Sequence, residues 1–305
     1  QLEMSIGSNI DPFFRFDANL VFSQFGVEVE EAYATTLSLP WNLQARVGQF
    51  LTRVGRLNNT HPHSWKFVDQ PIQNGKFFGG EGSRGLGAEL SVLLPLPWYA
   101  VALVSATDAA GACCARSFYG GEDLGVRSFG DFVVTGRLEQ FFPFGPDWSL
   151  MWGMSAQTGP NASGNENRTL IMNSDLYLRW RPVSSAWRQT LALTVEGTHR
   201  SRQVPDDVLQ DWGGYALLVW NPFIRWETGV RYEYVTGVEN DPLDPEWTDR
   251  RQRTSGQLTF YPSHFSRIRL QGALDQPEWR NTPIRSVFVA LEVVAGAHGS
   301  HGFGT

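Results

Sequence analysis

Apolar and polar residues alternate with a period of two along most of the chain, in segments of about ten to fifteen residues. In Arg168–Arg181, Leu170, Met172, Leu176, Leu178 and Trp180 share one face, while Asn173, Asp175, Tyr177, Arg179 and Arg181 share the other. In Trp187–Arg200, Leu191, Leu193 and Val195 oppose Arg188, Thr190, Thr194 and Glu196. In Ile224–Tyr234, Trp226, Val230, Tyr232 and Tyr234 oppose Arg225, Glu227, Arg231 and Glu233. In Phe13–Ser23, Phe14, Phe16, Leu20 and Phe22 oppose Arg15, Asp17 and Asn19. In Arg267–Asp275, Ile268, Leu270 and Leu274 oppose Arg267, Arg269, Gln271 and Asp275. This pattern predicts strands with one watery and one apolar face. Fifteen candidate strands start near residues 1, 13, 27, 42, 85, 98, 131, 148, 168, 187, 210, 223, 251, 266 and 284.

The connections alternate in length. Compact ones carry Pro or aromatic residues: Asp11-Pro12, Pro40-Trp41-Asn42, Pro95 to Tyr99, Pro143 to Trp148, Pro182 to Trp187, Trp220 to Pro222 and Tyr261 to Ser263. Long polar ones fall at Arg56–Arg84, Thr107–Gly130, Thr158–Arg168, Arg200–Asp211, Thr236–Arg250 and Asp275–Pro283, and Phe25-Gly26 alone breaks the rule by being short. Short turns at one rim and long loops at the other predict an all-β, antiparallel transmembrane β-barrel of the outer-membrane kind. The chain reads as a single domain over 1–305, with 56–84 and 107–130 as its long loops. An odd strand count places the first strand's start on the long-loop side. One strand before Gln1 restores parity at about sixteen strands; the alternative is fourteen. A soluble β-sandwich fits less well, because its loops rarely alternate so regularly and its strands are shorter.

Charged residues make up 18% and aromatics 13%, with 12 Trp. Mean hydropathy is only -0.26. No apolar run reaches the roughly 18–20 residues of a transmembrane helix. A barrel reconciles these numbers by turning polar residues inward and apolar ones to lipid. Trp41, Trp98, Tyr99, Trp148, Trp187, Trp220 and Tyr261 cluster at the short turns, where amphipathic rings suit the headgroup level. The net charge of -6 gives no case for nucleic acid as a partner. The chain begins abruptly inside a strand-like segment with no leader, as though a leader had been removed. Cys113 and Cys114 are adjacent, so they make no disulfide framework and leave a vicinal disulfide or free thiols open.

The stretch Glu30-Glu31-Ala32-Tyr33, followed by Leu43-Gln44-Ala45-Arg46-Val47-Gly48-Gln49-Phe50, resembles the phosphate-selective-porin-like (O/P-type) outer-membrane family over residues 2–57. The runs Asn59 to Trp65 and Gly75 to Gly82 resemble an uncharacterised porin-like branch sometimes labelled TonB-dependent receptors. The resemblance implies a sixteen-stranded barrel, often trimeric. It does not carry over a phosphate site, because Lys66 and Lys76 are the only lysines.

Charge is costly against lipid, so the alternating charges should point into a lumen. Arg15, Asp17, Arg46, Arg137, Arg179, Arg181, Arg188, Glu196, Arg225, Glu227, Arg231 and Arg269 are the expected lining. Many of them should pair across the wall. A mixed set predicts weak selectivity. The loop Arg56–Arg84 is the best constriction candidate; Asp69, Lys76, Glu81 and Arg84 would bring both signs of charge inward. The alternative is an extracellular cap. His61 and His63 are weak metal candidates by spacing, as are His298 and His301 at the opposite rim. Neither pair completes a site, so no metal or other cofactor is expected. His199, Ser201 and Asp206 are close in sequence but read as ordinary surface, and no enzyme is expected. The expected function is passive diffusion of small polar or charged solutes across the outer membrane of a Gram-negative-type bacterium, with outer-membrane lipid as surroundings. A homotrimer stays open. So do a sleeve that holds a partner protein or lipoprotein, and a substrate-specific TonB-linked receptor, which needs about twenty-two strands and a plug domain.

Overall fold

A computed structural model describes residues 2–109, 114–119, 126–164, 166–185 and 189–296. It contains one antiparallel sheet of 15 strands, each paired with its sequence neighbours. The strands are β1 (Leu2–Asn9), β2 (Phe14–Ser23), β3 (Gly26–Thr36), β4 (Leu43–Leu51), β5 (Arg84–Leu93), β6 (Tyr99–Thr107), β7 (Val133–Phe144) and β8 (Trp148–Pro160). They continue as β9 (Arg168–Trp180), β10 (Thr190–Val204), β11 (Asp207–Phe223), β12 (Trp226–Val235), β13 (Arg251–Ser263), β14 (Ser266–Pro277) and β15 (Ile284–Val293). The fifteen strands expected from alternation are all present, starting within about three residues of the expected positions. A short α-helix, α1 (Ile72–Phe77), lies in the connection between β4 and β5, after a 3-10 turn at Pro62–Ser64.

The faces are inverted relative to a water-soluble fold. Val47, Leu270, Leu258, Val230 and Tyr232 are exposed on the outer face, whereas Arg200, Arg231, Arg269, Glu196 and Glu233 are buried on the inner one. Strand register enforces this, because paired residues share a face: Arg46 stands opposite Glu89, and Val47 opposite Ala88. The sheet curls far enough for its two ends to meet one loop residue. His63 Nδ1 lies 2.7 Å from Glu3 on β1, and the backbone oxygen of His63 accepts from Arg267 on β14 at 2.5 Å. The ladder joins β1 through β15 in sequence order; among the described residues it includes no pairing of β1 with β15.

One expected loop is a hairpin instead. β10 and β11 run on to a tight turn at Pro205-Asp206, pairing Arg200 with Asp211 and Val204 with Asp207. Asp206 takes a left-handed φ of 68° in that turn. The alternation persists there: Arg200 and Arg202 face inward and are buried, while Gln203 is exposed on the other face. His199 and Ser201 are therefore strand residues on the outer face, and only Asp206 is in a turn.

Candidate functional site: the lumen wall and the inward loop

The connection between β4 and β5 does not cap the sheet; it lies inside the curl and is tied to inner-face side chains around it. The amide of Gly55 donates to Ser155 on β8 at 3.0 Å, and that of Arg56 to Glu196 on β10 at 3.3 Å. The Arg56 guanidinium sits 3.9 Å from the ring centre of Tyr177 on β9. Lys66 pairs with Glu227 on β12 at 3.2 Å, and the Val68 amide donates to Gln271 on β14 at 2.7 Å. Asp69 holds Arg231 and Arg253, each at 2.8 Å, and accepts from Gln271 at 2.6 Å. The Ile72 amide donates to Glu233 at 3.2 Å. Lys76, fully buried, pairs with Asp211 on β11 at 2.7 Å and donates to the Thr236 carbonyl. On the opposite wall His61 Nδ1 is 2.9 Å from Glu30 and its Nε2 is 2.8 Å from Glu31.

These contacts set the charge states of the loop. Burial pushes the Asp69 carboxyl up, but the guanidinium groups of Arg231 and Arg253 outweigh it and hold the group below the usual aspartate range. Burial pulls Lys76 down, with Asp211 opposing. Burial also works against charge on His61, yet hydrogen bonds to Glu30 and Glu31 raise it to about 10, so it is a cation at neutral pH.

The expected lining residues fall into three groups. Asp69, Lys76, Glu81 and Arg84 lie in or beside the loop as expected, but Lys76 is sealed beneath it. Arg46 pairs with Glu89 at 2.9 Å, Arg137 with Asp175 at 2.6 Å, Arg15 with Asp17 at 2.7 Å and Arg269 with Glu292 at 2.8 Å. Glu196 accepts from Asn173 and Tyr215, each at 2.9 Å. Most of these charges brace the wall or the loop. Arg179 stands half-buried near the short-turn end of β9, while Arg181 and Arg225 lie exposed in the turns themselves, beyond the last inward strand position. Arg188 and Trp187 lie outside the described residues, as do His298 and His301.

The aromatic set divides too. Trp41, Trp98, Trp148 and Trp220 are exposed at the short-turn rim. Tyr99 shares the inward parity of Val101 and Leu103, and Tyr261 lies near Glu227, Lys66 and Arg267; both belong to the inner side of that rim. Strand parity separates them from the tryptophans, because each stands one residue from an outward position.

Sequence reasoning missed a cluster near the long-loop end. Arg200 pairs with Asp211 at 2.6 Å and Asp244 at 2.9 Å, Arg202 pairs with Asp241, and Arg116 reaches Asp244 at 2.6 Å. The Arg200-Ser201-Arg202 alternation was the available signal. Beside it the loops build an apolar nucleus from Val54, Phe77, Phe78, Phe118 and Tyr119 against Val133 and Ile171 of the wall. No cysteine is free among the described residues. Cys114 is disulfide-bonded, and the other cysteine, Cys113, lies outside them.

No family model matches the chain. An uncharacterised protein of Aquifex aeolicus (strain VF5) is 31% identical over 326 aligned positions, which cover 99% of this chain and 69% of the relative. The chain belongs to that protein's family. For the family's fold, solved structures are informative. The outer membrane channel DcaP of Acinetobacter baumannii superposes with a TM-score of 0.60 at 10% identity, covering 95% of this chain and 83% of its own. An anion-selective porin from Comamonas acidovorans gives 0.56 at 11% identity, covering 94% and 82%. OprB of Pseudomonas putida gives 0.57 at 7% identity, covering 92% and 82%. The fold is that of outer-membrane porin barrels.

Proposed function

We propose that this chain is a porin-type channel of the outer membrane, through which small polar solutes diffuse past a mixed-charge wall narrowed by the inward loop. The carrying observation is the inverted burial combined with the loop's ion pairs to opposite walls: Asp69 to β12 and β13 on one side, His61 to β3 on the other. An apolar outside suits lipid, and a polar inside suits water. Trp41, Trp98, Trp148 and Trp220 would mark the periplasmic headgroup level. The fold shared with channels and porins supports this reading, while identities near 10% carry nothing about the solute. The resemblance to phosphate-selective porins supports sixteen strands and a trimer. It supports no phosphate site, since Lys66 and Lys76 are each committed to a carboxylate. The test is conductance of the purified protein in planar bilayers: stepwise ohmic openings are expected, and a barrel that inserts but stays closed refutes the reading.

A further inference from the structure

A chamber of about 340 Å³ lies between the β2–β3 wall and the inward loop, lined among others by Glu28, Glu30, Trp65, Asn74, Glu81 and Arg84. Several of its side-chain donors are already committed. Trp65 Nε1 donates back to the Thr60 carbonyl at 3.1 Å. Gln70 Nε2 donates to the carbonyls of Gly79 and Gly80 at 3.2 and 3.0 Å. Asn58 Nδ2 donates to the carbonyls of Thr52 and Ser83 at 2.7 and 2.9 Å. The single lining guanidinium, Arg84, is held by Glu81 at 2.9 Å and by Glu28.

The acceptors are in surplus. Three carboxylates and one guanidinium line the chamber; Glu28 and Glu81 share the guanidinium, and their side chains remain 47% and 42% exposed although paired to it. Beyond Glu30 stands one cation, His61, but it is shared with a further carboxylate, Glu31. Asn74, also lining the chamber, is 2% exposed, and its Oδ1 has no hydrogen-bond partner among the described residues. Burial and the neighbouring Glu28 raise the Glu81 carboxyl, with Arg84 opposing. On the far side of the loop Arg200, Arg202, Arg231 and Arg269 are buried against carboxylates, and the partly exposed Arg116 and Arg251 are paired with Asp244 and Asp275.

We propose that this chamber is a subsite for a small cation bearing N–H donors, of the alkylammonium or guanidinium type, and that the channel prefers cations. The inference rests on the channel reading for passage, but not for binding. A donor-rich cation meets three carboxylates and an unmatched carbonyl oxygen. An anion would face three carboxylates around a committed guanidinium.

The experiment pairs bilayer recordings with calorimetry on the full detergent-solubilised chain, using potassium chloride gradients and guanidinium chloride as the probe. The variants are Glu28→Gln with Glu81→Gln, and Glu246→Gln at an exposed loop carboxylate as control. Each is checked for the gel-mobility shift of a folded barrel. The wild type should pass potassium in preference to chloride, and millimolar guanidinium should interrupt its current. The double variant should lower the potassium-to-chloride ratio by about fivefold, as expected for two charges acting through water across several ångströms. The control should change nothing. A conducting pore with no cation preference, or with anion preference, overturns the inference and leaves the channel reading standing. A barrel that never conducts overturns the channel reading and the passage together. Calorimetry then still decides the subsite: no guanidinium heat in the wild type, or equal heat in the double variant, overturns it.

Discussion

Replacing Asp69 by Asn should release the middle of the inward loop. The Asp69 carboxylate holds two guanidiniums at 2.8 Å each, while Glu233 is the other anion of that cluster. Two cations and two anions therefore balance, and D69N leaves one uncompensated positive charge beside the buried Arg231. Cutting a fully buried pair costs about 3–5 kcal/mol. The Asp69 side chain is 25% exposed and asparagine keeps some hydrogen bonding, so about 2–3 kcal/mol is the better figure. That corresponds to roughly a hundredfold rise in the loop-open population. Limited trypsin digestion under native conditions reads this population, because cleavage in the loop requires local opening. Single-channel recording provides an independent measure, as larger or noisier openings. D69N should be cut faster within the loop and conduct more, with the barrel still resistant. A variant with wild-type digestion and wild-type conductance would show that these ion pairs do not hold the loop.

Three other outcomes follow from the same contacts. His61 titrates at about 10 against an ordinary value of 6.5; a raised histidine contributes fully below the ordinary value, and its stabilisation is lost as pH rises through the folded one. Loop cleavage and current noise should therefore climb as pH rises from about 7 to about 10 and level off above it, and His61→Phe should abolish that rise. Gly55 has φ +66°, and a Cβ there would stand 2.1 Å from Glu196 Oε1; Gly55→Ala should cost about 1–3 kcal/mol in urea unfolding, and an unchanged midpoint would refute the strain. Lys76→Met leaves Asp211 its Arg200 partner at 2.6 Å and should cost about 1–2 kcal/mol, whereas Asp211→Asn strips the buried Lys76 of its carboxylate and leaves Arg200 with the Asp244 carboxylate alone and should cost about 3–5 kcal/mol; equal losses would contradict this ranking.

The strands were legible because lipid and water impose opposite demands on alternate residues. Leu193 and Val195 go to one face and Thr194 and Glu196 to the other on their alternation alone. The hairpin of β10 and β11 departs from the expected loop for a definable reason. Its tip is polar on both faces, since Arg200 and Arg202 point inward while Ser201 and Gln203 point outward. Composition there resembles a loop, and the rule that loops are polar hides the surviving alternation. The loop partners were illegible for a different reason. Asp69 and Arg253 are 184 residues apart, and nothing local in either segment specifies the other. What could be read was the excess of charge of both signs; which pairs form depends on where the loop crosses the lumen.

That crossing explains why the anchors are ionic. A loop folded into a porin-type barrel meets a wall whose inward positions are reserved for polar residues, so apolar packing is unavailable along most of its path. Its hydrogen-bonding groups must match Arg231, Glu233, Glu227 and Gln271 instead, as Asp69, Ile72, Lys66 and Val68 do. Its own apolar residues need a separate home. Val54, Phe77 and Phe78 find one against Phe118 and Tyr119 from the next long connection. The inward-facing Val133 and Ile171 complete the nucleus, apolar positions on a largely polar inner wall. The charge arrangement follows from the same geometry. The loop brings Asp69 to the arginines of β12 and β13 and brings Lys66 and Lys76 to carboxylates of β12 and β11, while the free space beside the β2–β3 wall keeps Glu28 and Glu30 of that wall in its lining.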